Sequence, residues 1–190
     1  MKNVGIVGIG DMGSGLAKNL IKNGFSVIGL DLSEHRKLAF EAMGGQLAKD
    51  FAEIGRASDA VFVMVMNGTQ AKEIILGENG LVASMEKGGT ILLTATIKPT
   101  EAREIGAAMA GSGIDLIDSP VSGGFPGAQG GSLTLMAAAP ADILAKYRHG
   151  RGGRWNGARL AERVAASEWR SEPSMPWRRR SGAVCRVGAG

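Results

Sequence analysis

At 190 residues the chain has room for one large domain, or one domain and a fragment, and its 44% apolar content is ordinary for a water-soluble globular fold. No apolar stretch reaches the roughly 18 residues that span a bilayer, so no membrane anchor is expected. A single cysteine, Cys185, excludes an internal disulfide, and the N-terminus leads straight into a strand pattern without room for a signal peptide, so the expected location is cytoplasmic.

The first element is an apolar run, Val4 to Val7, which reads as a buried strand. It ends in Gly8-Ile9-Gly10-Asp11-Met12-Gly13 and passes directly into a helix-period segment. Strand, three spaced glycines and helix in that order are the context a dinucleotide-binding loop requires. Gly8 is expected to make the tight turn, Gly10 to let backbone approach a pyrophosphate, and Gly13 to let helix and strand pack closely. The unpaired N–H groups and positive end of the new helix then face the phosphates. Asp11 places a carboxylate there, which can cap N–H groups and is expected to turn away from the phosphates.

Met12, Leu16, Leu20 and Ile21 fall on one helix face, with Lys18, Asn19, Lys22 and Asn23 on the other, and Gly24 marks the stop. A second strand, Phe25 to Leu30, ends at Asp31, 18 positions beyond Gly13. An acid there accepts hydrogen bonds from adenosine-ribose hydroxyls and repels a 2′-phosphate, which points to NAD over NADP. His35 and Arg36 act against that preference, since a nearby arginine accommodates a 2′-phosphate. The plainer alternative has Asp31 capping the helix that starts near Glu34.

Further along, a helix is predicted over Glu34 to Met43, a short strand at Gln46-Leu47-Ala48 and a helix over Asp50 to Ala57. The continuous apolar run Ala60 to Met66 suits a central parallel strand buried on both faces. Helices follow at Thr69 to Leu76 and Leu81 to Glu86, then a strand at Thr90 to Thr94. Pro99 is a favourable first-turn residue for a helix over Thr100 to Ala110. Ile114 to Ile117 reads as a strand, Leu133 to Ala137 as another, and Ala141 to Arg148 as the start of a helix. This alternation predicts an α/β fold with a Rossmann-like, doubly wound, mostly parallel sheet. Ligands of such sheets bind beyond the carboxyl ends of the strands. Gly8 to Gly13, Asp31, Met66-Asn67-Gly68, Thr94 to Thr96 and Asp118 to Gly124 all fall at that edge.

The composition changes abruptly near Tyr147-Arg148-His149. Residues 1–148 carry 13 Lys+Arg against 15 Asp+Glu, a net of −2, whereas residues 149–190 carry 9 against 3, a net of +6. All nine of those cations are arginine, and Trp155, Trp169 and Trp177 fall there too. The stretch shows neither sustained helical periodicity nor strand alternation. It is expected to be an atypical tail, disordered or read out of frame, since Arg, Gly, Ala and Pro all have GC-rich codons. Trp177-Arg178-Arg179-Arg180 offers cations and a stacking ring for nucleic acid, but basic clusters outside a recognisable module bind unspecifically at best.

Asp118-Ser119-Pro120-Val121-Ser122-Gly123-Gly124, followed by Ala128, Gly131, Leu133-Thr134 and Met136, resembles the β-hydroxyacid dehydrogenase family. That family includes 3-hydroxyisobutyrate, tartronate semialdehyde, L-threonate and 6-phosphogluconate dehydrogenases. The glycine loop and Thr94-Ala95-Thr96-Ile97 match it in order and spacing, so the resemblance covers residues 1–148. Gly29-Leu30-Asp31-Leu32 looks most like the L-threonate branch.

The resemblance implies oxidation of a small 3-hydroxy acid by NAD(P). It implies that Gly8, Ile9, Gly10, Asp11, Met12 and Gly13 hold the pyrophosphate and Asp31 the adenosine ribose. Met66 and Asn67 would line the cofactor cleft, Thr96 would sit by the nicotinamide ribose, and Ser122, Gly123 and Gly124 would hold the substrate carboxylate. A hydroxyl and flexible backbone N–H groups are good anion ligands. Relatives also use a lysine in the first helix after this domain as general acid/base, and a long helical second domain that closes the crevice within a homo-oligomer. Here the last lysine is Lys146, expected on a solvated helix face. The C-terminal helical domain is read as missing or degraded, no catalytic residue is assigned and no metal site is expected. A non-catalytic NAD-binding remnant is the alternative reading of the function.

Overall fold

The structure, a computed structural model, describes residues 3–148, 167–170 and 182–186. The sheet is built on β1 (Asn3–Val7), β2 (Ser26–Leu30), β3 (Gln46–Leu47), β4 (Ala60–Val63), β5 (Thr90–Leu93) and β6 (Asp115–Asp118). These lie side by side in the order β3-β2-β1-β4-β5-β6, every neighbouring pair parallel. The order reverses between β1 and β4, and this switch point is where an open α/β sheet leaves a crevice for ligands.

Helices α1 (Asp11–Lys22), α2 (Glu34–Ala42), α3 (Phe51–Ala57), α4 (Gly68–Leu76), α5 (Leu81–Ser84) and α6 (Pro99–Ala108) connect these strands. They separate two cores. Val4, Ile6, Leu16, Leu20, Phe40 and Phe62 belong to one, while Val7, Ile54, Val61, Ile75, Ile91 and Ile105 belong to the other. Every residue of β4 and β5 is buried, as continuous apolar runs require when helices cover both sheet faces.

The expected strand over Ala60 to Met66 stops at Val63, a correction with a simple cause. Val63 is paired with Val7, the last residue of β1. The Met64 N–H still reaches the Val7 carbonyl at 2.8 Å, but β1 then turns away at Gly8 and the ladder has no further partner. The apolar run therefore continues out of the sheet, leaving Met66 86% exposed.

Beyond β6 the direction changes. β8 (Thr134–Ala138) runs antiparallel to β6 and to the two-residue β7 (Val121–Ser122), and α8 (Ala141–Arg148) follows it. Between β7 and β8 lies α7 (Gly124–Gly130), which the sequence pattern does not reveal. Four of its seven residues are Gly or Pro, the two poorest helix formers, so packing and not propensity must hold it. Within 149–190, β9 (Ser167–Arg170) and β10 (Gly182–Arg186) extend the sheet, with β10 antiparallel to β8. These segments show no alternation, but an open strand edge offers N–H and C=O groups to any backbone. The remainder of the tail, Trp177-Arg178-Arg179-Arg180 included, lies outside the described residues.

Candidate functional site

The turn after β1 is shaped by close approach. Gly8 has a φ of +93°, and a side chain there would run into the Met64 carbonyl oxygen. A Cβ on Gly13 would fall inside contact distance of the Gly8 carbonyl oxygen, so α1 begins hard against the turn. Gly10 differs, because a Cβ there would meet only the Arg36 guanidinium, 3.7 to 3.8 Å away. The face of the loop is thus open above Gly10, and Arg36 stands at its border. Ser14 N–H returns to the Gly10 carbonyl at 2.8 Å, while the N–H groups of Asp11, Met12 and Gly13 precede the first intrahelical acceptor. These donors and the helix dipole suit a pyrophosphate. Asp11 is exposed, and Ile9 is buried with its side chain in the core beneath the loop.

Asp31 ties two turns together. Its Oδ2 accepts from the Ile9 N–H at 2.7 Å and its Oδ1 from the Ser33 N–H at 2.9 Å. One carboxylate thereby joins the turn after β1 to the turn after β2. Arg36 Nη1 lies 3.7 Å from Oδ1, and the Asp31 side chain is only 8% exposed. The two bonds leave acceptor positions on both oxygens, since an ionised carboxylate has about four. The N-cap of α2 is Ser33, so Asp31 does not cap that helix; it accepts the N–H of the cap residue instead.

At the ends of β4 and β5 the expected residues arrive at the same edge with partly different duties. Asn67 Oδ1 accepts from the Gln70 N–H at 2.9 Å, capping α4, and Gln70 Oε1 accepts from the Met66 N–H at 3.1 Å. Thr94 is buried, its hydroxyl donating to the Val63 carbonyl at 2.9 Å, whereas Thr96 stands exposed. Leu32 beside Asp31 is 94% exposed, so apolar surface flanks the opening.

Ser122, Gly123 and Gly124 are exposed between β7 and α7. Ser122 is paired with Thr134 of β8, and Gly123 takes a φ of +125°, a conformation side chains resist. Buried Leu133 supports the loop from below, 3.3 Å from where a Gly123 Cβ would stand. α7, which starts at these residues, packs on α1, which starts at the glycine loop.

Residues 3–149 match the family described as the NAD binding domain of 6-phosphogluconate dehydrogenase. The chain belongs to this family. It is 36% identical over 141 residues to an L-threonate dehydrogenase from Cupriavidus necator, a match covering 74% of this chain and 48% of that protein. A crystal structure of 3-hydroxyisobutyrate dehydrogenase from Salmonella typhimurium superposes with a TM-score of 0.68 at 33% identity, covering 72% of this chain and 48% of that one. A Mycobacterium tuberculosis 3-hydroxyisobutyrate dehydrogenase with L-serine gives a TM-score of 0.71 at 26% identity, covering 78% and 50%. These relatives place the chain among the β-hydroxyacid dehydrogenases, and it spans about half their length.

In this NAD-binding domain Lys146 is held at the start of β6. Its Nζ lies 3.0 Å from both carboxylate oxygens of Asp115, and its side chain is 54% exposed. Asp115 opens β6, while the site lies past Asp118, which closes it. Three residue steps separate those ends, about 10 Å of strand. Among the described residues no cluster of three metal-ligating side chains occurs, and no helix is long and apolar enough to cross a membrane.

Asp118 itself is a titrating group at the site's margin, its carboxyl pushed up to about 6 by burial. Between the usual unfolded value near 3.9 and about 6, the folded chain holds this proton more firmly than the unfolded chain. The resulting stability is complete below the unfolded value and is lost as pH rises through about 6. Asp118→Asn, neutral throughout, should raise Tm at about pH 8 and change it little at about pH 4. Thermal unfolding at both pH values checks this, and an equal shift at each would refute it.

Sequence reasoning passed over Gly15, which follows the motif without belonging to it, and Asn19, assigned to the solvated face of α1. Both face α7. Arg36 was considered only for a 2′-phosphate, although its guanidinium overlooks Gly10.

Proposed function

We propose that this chain is the cofactor-binding half of a β-hydroxyacid dehydrogenase, able to bind NAD and the carboxylate of a small 3-hydroxy acid but not to complete the reaction. The observation that carries the reading is the common edge. The open face above Gly10, the N–H groups opening α1 and the exposed Ser122-Gly123-Gly124 loop all adjoin the β1/β4 switch point or the helix packed beside it. Bound NAD supplies the hydride acceptor for a CH–OH group. The chain's own residues bind and orient. Gly8 to Gly13 cradle the diphosphate, Asp31 braces that loop and offers its remaining lone pairs to the ribose, and Ser122 with its neighbouring N–H groups holds the carboxylate. Met66 and Asn67 border the cofactor, and Thr96 the nicotinamide side. The one lysine after the Ser122 loop, Lys146, is paired with Asp115 and does not serve as acceptor for the proton on the substrate hydroxyl.

Calorimetric titration with NAD+ tests the binding half of this reading, and amide chemical shifts of residues 122–124 under L-threonate or 3-hydroxyisobutyrate test the other. No heat with NAD+ would overturn it. NAD+ is expected to bind more tightly than NADP+, because Asp31 repels a 2′-phosphate. Asp31→Asn removes the charge and one of the two acceptor oxygens, so it should narrow that preference while giving up either the Ile9 or the Ser33 bond. Tighter NADP+ binding by the unmodified chain would sink the assignment and give the decisive role to Arg36.

We read residues 149–190 as out-of-frame sequence that stands where relatives have their helical half. The family match ends at 149, where the composition changes. Resequencing the coding DNA and translating the other frames past codon 148 tests this. A continuation bearing a lysine-containing helix would support it, and two other frames without one would refute it.

A further inference from the structure

Among the described residues, the most extensive helix-to-helix contact lies between α1 and the unexpected α7. Gly15 is what permits it, since a Cβ there would come within 2.6 to 2.8 Å of the Ala128 backbone and side chain. Asn19, one turn further on, fastens the contact. Its Nδ2 donates to the Gly15 carbonyl at 2.8 Å within α1 and to the Ala128 carbonyl at 2.8 Å across the interface, with the Gln129 carbonyl at 3.4 Å. The carbonyls at the end of a helix lack intrahelical donors, and one side-chain amide here serves two of them. Gly131, in the left-handed conformation that ends α7, lies so near that a Cβ would sit 2.8 Å from Asn19 Oδ1. Lys18 Nζ adds a longer contact, 3.4 Å to Gln129 Oε1.

From these contacts we infer that Asn19, with Gly15, is a positioning residue that fixes the Ser122-Gly123-Gly124 loop relative to the dinucleotide loop. The substrate side rests on reading 122–124 as the carboxylate loop. α7 has little helix propensity of its own, so its place depends on what grips it. Leu133 supports its first turn and Asn19 holds its last. α1 starts at the dinucleotide loop and α7 starts at the carboxylate loop. A grip between the two helices therefore sets the spacing of the two loops.

Hydrogen exchange on the full chain tests the grip. Asn19→Ala should speed amide exchange over residues 123–131 about 10-fold or more while amides of β1 and β4 change less than about 2-fold. Asn19→Asp, which keeps the shape but presents carboxylate oxygens to carbonyls, should do the same. A uniform rise across the molecule, or none in 123–131, would overturn the inference. With NAD+ present, Asn19→Ala should weaken hydroxy-acid binding at least about 10-fold and leave NAD+ affinity within about 3-fold, a split that loss of general stability does not produce. Equal losses for both ligands would count against it. If the unmodified chain binds no hydroxy acid, the carboxylate reading fails while the exchange pattern still decides the grip.

Discussion

Given NAD+ together with L-threonate, 3-hydroxyisobutyrate, D-glycerate or 6-phosphogluconate, the chain should form no NADH above background. A positioned general base contributes about 10²–10⁴-fold to such a reaction. The last lysine of the sequence, Lys146, is engaged by Asp115 at the far end of β6, about 10 Å of strand from the site. Reaching the crevice would require α8 to leave its place on the sheet. The second contribution is orientation of the substrate against the nicotinamide, which residues matching about half of each relative would have to supply alone. Orientation of that kind accounts for up to roughly 7–11 kcal/mol of barrier in well-aligned systems. Either loss alone leaves a feeble enzyme, and together they leave background. Absorbance of NADH over hours is the measurement. Sustained turnover that vanishes in Ser122→Ala would show the site to be complete and the proposal of a binding-only half to be wrong.

Two substitutions one helical turn apart should both remove NAD+ binding, for different reasons. In Gly13→Ala the new methyl meets the Gly8 carbonyl oxygen, which is backbone and cannot step aside. α1 must then shift from the turn, at an overpacking cost of about 1–3 kcal/mol that lowers Tm. Its leading N–H groups move with it, and NAD+ affinity should fall about 100-fold or more. Gly10→Ala is the counterpart. Gly10 has φ −69°, an ordinary value for alanine, and the nearest atoms to its Cβ position are 3.7 Å away in the flexible Arg36 side chain. The fold should therefore keep its Tm within a degree or so while the methyl blocks the approach of the diphosphate. Calorimetry and thermal unfolding of both variants separate the two effects. Undiminished NAD+ binding by Gly10→Ala would mean that the open face above the loop is not where the phosphates sit.

The parallel half of the fold was legible because each element carries its own local signal. The stretches Val4 to Val7, Ala60 to Met66 and Thr90 to Thr94 read as strands, the second running three residues past its ladder, and helical periodicity between them forces crossovers onto both faces. The glycines at 8, 10 and 13 were legible for the same reason, since a turn, an open face and a tight contact follow each other within six residues. Asp50 before α3 behaves as its type and place suggest, accepting the Glu53 N–H at 2.7 Å.

What the sequence could not decide involves partners far along the chain. Its pattern put Asn19 with Lys18 and Lys22 on the polar face of α1, and only the folded chain brings the Ala128 carbonyl, 109 positions away, to that amide. α7 was invisible because glycine and proline argue against a helix locally, while Gly15 and Leu133, distant in sequence, make its burial favourable. Asp31 was read by its own position, yet its bond to Ile9 spans 22 residues and makes it part of the glycine loop. The sequence by itself determined the parallel strands β1 to β6, their edge and the residue types gathered there, because those depend on periodicity and backbone conformation within single elements. Tertiary structure alone decided which polar side chains face solvent and which hold one loop to another, because a hydrogen bond across an interface depends on spatial approach that no local pattern encodes.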